Sequence, residues 1–384
     1  MPIAFGRRDD SRMLGSNRTF FARSAEDTGM AVVDSEFGEW PLKRLMTEVV
    51  GTGTKSAEDM SREQAMEAMR RILAGEPDHT TLGAFWLANR WKHNNAEELA
   101  AFTDVMAEHV EYAEPEVDPV DCGANYDGKG KTAVLGVGAG VVAAAAGTPV
   151  VVHSGDRVPT QKQDAYKHVL DELGVRTELE PDESADMVDD TGFGFYYQPN
   201  FNPTIHALWE RRDNMGVRTF VNTIETIANP AKASTHLGSF YHLAFAKKMV
   251  NTFEASEHHD LHRVVMFQGM EGYDDIRPGY TKVAEWTDGE FDDFEIETAE
   301  YGMDFEYDDL GVDEADVAGD SARITEAVLT GEREDRFADA VAVNAALRIY
   351  AREDADSIQE GLEMARDAID SGAAADVLED LRAF

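Results

Sequence analysis

The chain has 384 residues, with 75 acidic side chains against 35 basic ones, a formal net charge of −40 and a single cysteine. That length accommodates two domains and a sizeable core, while the charge leaves no broad basic face for a phosphate backbone, so no nucleic-acid partner is expected. Carboxylates spread along the whole chain suit a surface hydrated in concentrated salt, which reads as a halophilic cytosol, and Cys122 alone cannot close an internal disulfide.

Residues 1–35, rich in Arg, Asp, Ser and Gly, lack a sustained period and read as an N-terminal extension. The segment is too charged and interrupted for a secretory signal, and nowhere does an apolar run reach the length of about 18 residues that a membrane helix needs, so a cytoplasmic protein is expected. Residues 36–114 then carry a helical period. "SREQAMEAMRRILAG" opens with Ser61 and Gln64 at capping-box spacing, places Met66, Met69 and Leu73 on one face and stops at Gly75. "TTLGAFWLANRWKH" and "AEELAAFTDVMAEHVEY" continue it, the second with Leu99, Phe102, Met106 and Val110 in register, so a small all-helical domain is expected.

Pro115 and Pro119 mark a break, and residues 115–384 change texture to short apolar runs separated by glycines and helices. "TAVLGV", "TPVVVH", "GFGFYYQ" and "RVVMF" are the strand candidates, with "GAGVVAAAAG" and "KQDAYKHVLDELG" as intervening helices. The alternation predicts a large α/β domain around a mainly parallel sheet, closed by C-terminal helices. The acidic stretch "DGEFDDFEIETAEYGMDFEYDDLGVDEAD" is either a surface excursion or a pair of edge strands.

Within the α/β part, "GANYDGK" satisfies the first seven positions of a nucleotide-binding P-loop, but Gly130 stands where magnesium chemistry needs Ser or Thr. The segment ahead of it, "EPEVDPV", is acidic and proline-broken and does not read as the strand that a P-loop follows. Two readings stay open for the loop: backbone N–H groups offered to an anion with Lys129 and Lys131 adding charge, or a tight solvent turn. "EHHDLH" likewise offers His258, His259 and His262 either as metal ligands or as a polar helix end.

The segment "RRDNMGVRTFVNTIETIANPA", residues 211–231, resembles the phrase R-R-E-L-G-x-R-T-x-F-N-x-L-G-P-L-x-N-P-A of anthranilate phosphoribosyltransferases. Further landmarks follow in family order: "FYYQPNFNPTIHAL" is similar to F-L-F-A-P-x-x-H-P-A-M, and "QGMEGYDDI" to H-G-x-D-G-L-D-E-I. The resemblance spans roughly residues 37–381. It implies a helical domain beside an α/β domain, with residues 202–216 returning to the former, and a homodimer. It also implies phosphoribosyl pyrophosphate (PRPP) bound with Mg²⁺ at the junction, and transfer of phosphoribose to an aromatic acceptor such as anthranilate in tryptophan biosynthesis. A nucleoside-phosphorylase-like reaction and a non-catalytic nucleotide or phosphosugar binder are the alternatives.

Carried over residue by residue, the resemblance implies PRPP or phosphate contacts from Gly123, Asn125, Asp127, Gly128 and Lys129 in the glycine loop. Thr132, Arg157, Thr160 and Lys162 would extend that set. It places His153 and Arg212 against the acceptor, and Asp274 and Asp275 on Mg²⁺. The family's T-F-N-I-S-T following the loop departs here, its asparagine and serine falling on Val134 and Gly136.

Overall fold

The computed structural model describes residues 37–384 apart from 125 and 271–274, so the expected extension, Asn125 and Asp274 lie outside the described residues. Four helices come first: α1 (Leu42–Glu48), α2 (Arg62–Leu73), α3 (His79–Lys92) and α4 (Ala96–Ala107). α2 starts at the capping box read from the sequence: Ser61 accepts from Gln64 N, and Gln64 accepts in return from Ser61 N. Leu82 and Phe85 of α3 and Phe102 of α4 build one apolar cluster. Phe201, Ile205 and Phe220, far along the chain, enter the same cluster, and Phe220 stacks on Phe102 with ring centroids 4.1 Å apart.

The rest is built on one seven-stranded sheet. Its strands are β1 (Val120–Gly123), β2 (Val150–Ser154), β3 (Phe193–Tyr197), β4 (Thr235–Phe240), β5 (Arg263–Gln268), β6 (Tyr280–Thr287) and β7 (Glu290–Glu297). The spatial order is β3-β2-β1-β4-β5-β6-β7, with the first five parallel and the last two joined as an antiparallel hairpin. The five parallel strands are short and buried almost throughout, which is why β2, β3 and β5 read as apolar runs and not as alternation. Helices α5 (Gly136–Ala145), α6 (Tyr166–Leu173) and α7 (Pro181–Thr191) supply the early crossovers. Short turns α8 (Gln198–Phe201), α9 (Pro203–His206), α10 (Trp209–Met215) and α11 (Val221–Ile224) lead back toward β4, and α12 (Leu243–Ala255) joins β4 to β5. The C-terminal helices α13 (Val317–Leu329), α14 (Arg336–Ala351), α15 (Ile358–Asp370) and α16 (Ala373–Ala383) pack with α5 in the main core.

Two strand expectations are corrected. "TAVLGV" is not a strand: Thr132 makes one isolated bridge to Gly311, and from Gly136 the chain is already helix α5. The strand belonging to the glycine loop is "VDCG", β1, so the loop does follow a buried strand. It was hidden because Asp121 breaks the apolar run, and Asp121 is tolerated inside only because two histidines face it. The acidic stretch resolves into the β7 edge strand, closed on β6 through Asp288 and Gly289, both at positive φ as a two-residue hairpin turn requires. Five of its eight residues are acidic: Glu290, Asp292, Asp293, Glu295 and Glu297. Among the described residues no helix is long and apolar enough to cross a membrane.

Candidate active site

The chain runs from β1 through β2 to β3 on one side, then returns to place β4 on the other side of β1. The carboxyl ends of β1 and β4 therefore diverge at a topological switch point, where open α/β sheets form a ligand crevice. A cavity of about 350 Å³ lies there. Gly238, Ser239 and Phe240 from the end of β4 line it, with Tyr126 from the loop after β1, Arg218, Asn222 and Thr226 from the return segment, and Arg90 from α3. Phe245, Met249 and Met266 give it an apolar wall, while Arg90 and Arg218 give it a cationic one.

Arg218 is held in place by Asp127, with Nε 2.8 Å from Oδ1 and NH2 2.7 Å from Oδ2. Burial pushes the Asp127 carboxyl above its ordinary range, against the pull of the Arg218 guanidinium. Arg90 NH1 donates to the Arg218 carbonyl at 3.0 Å, tying α3 to the same corner.

Beneath the cavity is a buried polar cluster. β1 and β4 pair so that Asp121 and His236 are register partners, and His236 Nδ1 sits 2.8 Å from Asp121 Oδ2. His153 of β2 reaches the other oxygen, Oδ1, at 3.2 Å but without hydrogen-bond alignment. Burial works to raise the Asp121 pKa, yet the two imidazoles outweigh it and hold the carboxyl well below the usual range.

Most residues expected to touch ligand are engaged inside the protein. At Gly123 a Cβ would fall 1.8 Å from Thr226 O, so only glycine lets the return segment pass so close to the end of β1. Gly128 has φ +90° and Lys129 N donates to Asp164 O at 3.0 Å, so the loop closes on residues 163–164. The Lys129 ammonium, expected on phosphate, is fully buried here, ion-paired with Asp275 and donating to Ala133 O at 3.0 Å. Thr132 is likewise buried, with its hydroxyl 3.3 Å from Tyr307 Oη.

The amides just ahead of α5 are engaged within the protein. Ala133 N donates to Leu310 O at 3.0 Å, Val134 N to Ser321 Oγ at 3.0 Å and Leu135 N to Asp275 Oδ2 at 3.4 Å. At Gly136 a Cβ would lie 1.3 Å from Tyr166 Oη, so the tyrosine fills the space in which the family's serine side chain would project.

The second group of expected residues lies around a smaller pocket lined by Gly155, Arg157, Gln198, Trp209, Arg212 and Glu225. Arg157 pairs with Asp164, and Lys162 with Asp213 at 2.9 Å while its ammonium sits 5.4 Å above the Trp209 ring. Thr160 has φ +87°, a costly conformation for Thr, and its hydroxyl is buried with no hydrogen bond. His153, expected against the acceptor, is wholly buried with its ring edge-on to Phe201 at 5.7 Å. The Arg212 guanidinium, also expected against the acceptor, is buried and forked onto Glu225.

For a cation, Asp275 Oδ1 is buried and makes no hydrogen bond, which leaves one carboxylate oxygen in a state that fits a hard metal ion. His258, His259 and His262 do not converge. His259 Nε2 contacts Ile227 O at 2.8 Å, His262 bridges Asp288 and Glu353 at 3.1 Å each, and no group of three potential ligands occurs among the described residues. Sequence reasoning passed over Arg90, Arg218 and His236. Arg218 stood within the quoted R-T phrase, and His236 became visible only with the register of β4 against β1.

Residues 47–110 match the helical bundle domain of a glycosyl transferase family, and residues 116–375 match its a/b domain. An anthranilate phosphoribosyltransferase of Methanocorpusculum labreanum is 32% identical over 337 residues, 85% of this chain and 94% of the relative. One of Chromobacterium violaceum is 32% identical over 329 residues, 84% and 93%. Among solved structures, anthranilate phosphoribosyltransferase from Thermus thermophilus superposes with TM-score 0.73 at 25% identity, over 89% of this chain and 98% of that one. The Saccharomyces cerevisiae enzyme in complex with PRPP and Mg shares the fold at TM-score 0.75 and 18% identity, over 89% and 98%.

Proposed function

The chain belongs to the glycosyl transferase family that joins a helical bundle to an a/b domain, and from that premise we propose that it transfers phosphoribose from PRPP to a small aromatic amine. Anthranilate, in tryptophan biosynthesis, is the nominal acceptor. The observation that carries this reading is the switch-point cavity, cationic on one side at Arg90 and Arg218 and apolar on the other at Phe245, Met249 and Met266. The first wall suits phosphate oxygens and the second an aromatic ring.

In such a transfer the acceptor nitrogen bonds to the ribose anomeric carbon as the carbon–oxygen bond to pyrophosphate breaks, and pyrophosphate leaves with the electron pair. Little covalent work falls to the protein, so positioning and charge carry the rate. Arg218, braced by Asp127, gives the anionic donor a positioned cation. The apolar wall excludes water that would compete with the amine. Asp275, through Oδ1, would hold Mg²⁺, with Asp274 next to it in the sequence; the ion would supply charge neutralisation at the leaving group.

The engaged amides ahead of α5 and the Tyr166 hydroxyl beside Gly136 favour a second reading, in which a phosphosugar or nucleotide binds without turnover. Calorimetric titration with PRPP, with and without Mg²⁺ in high salt, tests what the two readings share. Absence of heat and of any thermal shift at millimolar PRPP would sink the phosphoribosyl reading. Where PRPP binds, release of pyrophosphate on adding anthranilate separates transferase from binder.

A further inference from the structure

His236 projects from the second position of β4 into the floor of the switch-point cavity. Its Nδ1 is taken by Asp121, and a buried carboxylate with depressed basicity requires that the proton of this contact reside on nitrogen. In its neutral form the ring then carries its lone pair on Nε2. The space ahead of that atom is kept clear by an absence: a Cβ at Gly238 would lie 3.1 Å from Nε2. Phe253 packs against the ring at 5.2 Å between centroids and limits its rotation. Nδ1 is thus anchored by protein while the residue lines a cavity with room for a ligand.

We propose that His236 is the general base of the transfer, accepting on Nε2 the proton that the acceptor nitrogen loses, with Asp121 as the positioning residue that holds the tautomer. The inference rests on the transferase reading above. The step balances: the acceptor N–H bond breaks as nitrogen bonds to the anomeric carbon, the proton passes to Nε2, and pyrophosphate carries away the electron pair of the broken carbon–oxygen bond. The imidazolium formed is stabilised by Asp121 and returns its proton to water after product leaves. It follows that the cavity selects acceptors with a removable N–H.

The test uses the full chain in high salt, with anthranilate and aniline as acceptor probes. Nitrogen-15 imidazole spectra of the wild type should show His236 neutral, protonated on Nδ1, with its Nε2 resonance moved by saturating anthranilate or aniline. A proton on Nε2, or a resonance unmoved by both probes, overturns the proposal whether or not PRPP is turned over. In steady-state kinetics, His236→Gln should lower kcat by about 100-fold with KM for PRPP unchanged. A folded His236→Gln variant with kcat within about threefold of wild type overturns it as well. Asp121→Asn should shift the proton of His236 to Nε2 and lower kcat without raising KM for PRPP, an outcome that mere loss of packing would not give; an unchanged tautomer contradicts the positioning role. A wild type that binds the probes at His236 yet releases no pyrophosphate counts against the transferase reading and equally overturns His236 as its base.

Discussion

Arg212 and Glu225 meet as a two-pronged ion pair, with NH1 2.8 Å from Oε2 and NH2 2.6 Å from Oε1, both side chains being buried. Gln198 Nε2 adds a contact to Glu225 at 3.2 Å. An acceptor carboxylate approaching Arg212 would find its fork taken. Glu225→Gln should therefore strengthen anthranilate binding while destabilising the protein by about 3 kcal/mol, the scale of breaking a buried pair. Calorimetry and urea unfolding read the two effects, and weaker anthranilate binding in the variant would refute the blocking role.

Tyr166 and Gly136 form a lock at the start of α5. Gly136→Ser should cost about 1–3 kcal/mol, because Tyr166 Oη occupies the place of the new side chain. In a Tyr166→Ala background the same change should cost much less, giving a coupling energy that a double-mutant cycle by urea unfolding resolves. Additive effects would mean that the two residues do not compete for that space.

Asp121 makes stability depend on pH in a known direction. Its folded pKa lies below the ordinary value of 3.8, so the stabilisation is fully present above that value and fades as pH falls below it toward the folded pKa. Between pH 5 and 3, wild type should lose more unfolding free energy than Asp121→Asn, as measured by denaturant melts in constant high salt. Parallel losses would refute the assignment.

The charge of −40 predicts a salt dependence. The screening length falls from about 10 Å near 0.1 M to about 3 Å at 1 M, which relieves repulsion among carboxylates. Tm should climb as KCl is raised from about 0.1 M to about 2 M. A Tm that falls across that range would exclude self-repulsion as the controlling term.

The sequence disclosed elements with strong local signatures. The Ser61 capping box, the apolar runs of β2 and β5 and the long periodic helices at the C-terminus were all readable because short-range patterns determine them. β1 was not, since its Asp121 looks polar until β2 and β4 bring His153 and His236 beside it. β4 was missed as well, its glycine and serine concealing a strand whose burial comes from neighbouring strands and α12. The site was legible as a region, around the glycine loop and the R-T phrase, but not atom by atom. Whether Lys129 reaches a phosphate or Asp275 is decided by residues 146 positions apart, and Arg212 likewise is decided by Glu225. Local motifs state which residue types are present; ion pairing across the fold decides which remain open to a ligand.

The β6–β7 hairpin has a bearing on how copies of the protein can meet. An edge strand offers unpaired amides and carbonyls to any passing strand, and the usual hazard is polymerisation through continuous sheets. Here that margin carries Glu290, Asp292, Asp293, Glu295 and Glu297, so a second copy aligning its own β7 would bring two rows of carboxylates together at strand spacing. At low ionic strength, repulsion at that range opposes self-association through this edge. The hairpin thus acts as a selvedge to that side of the sheet.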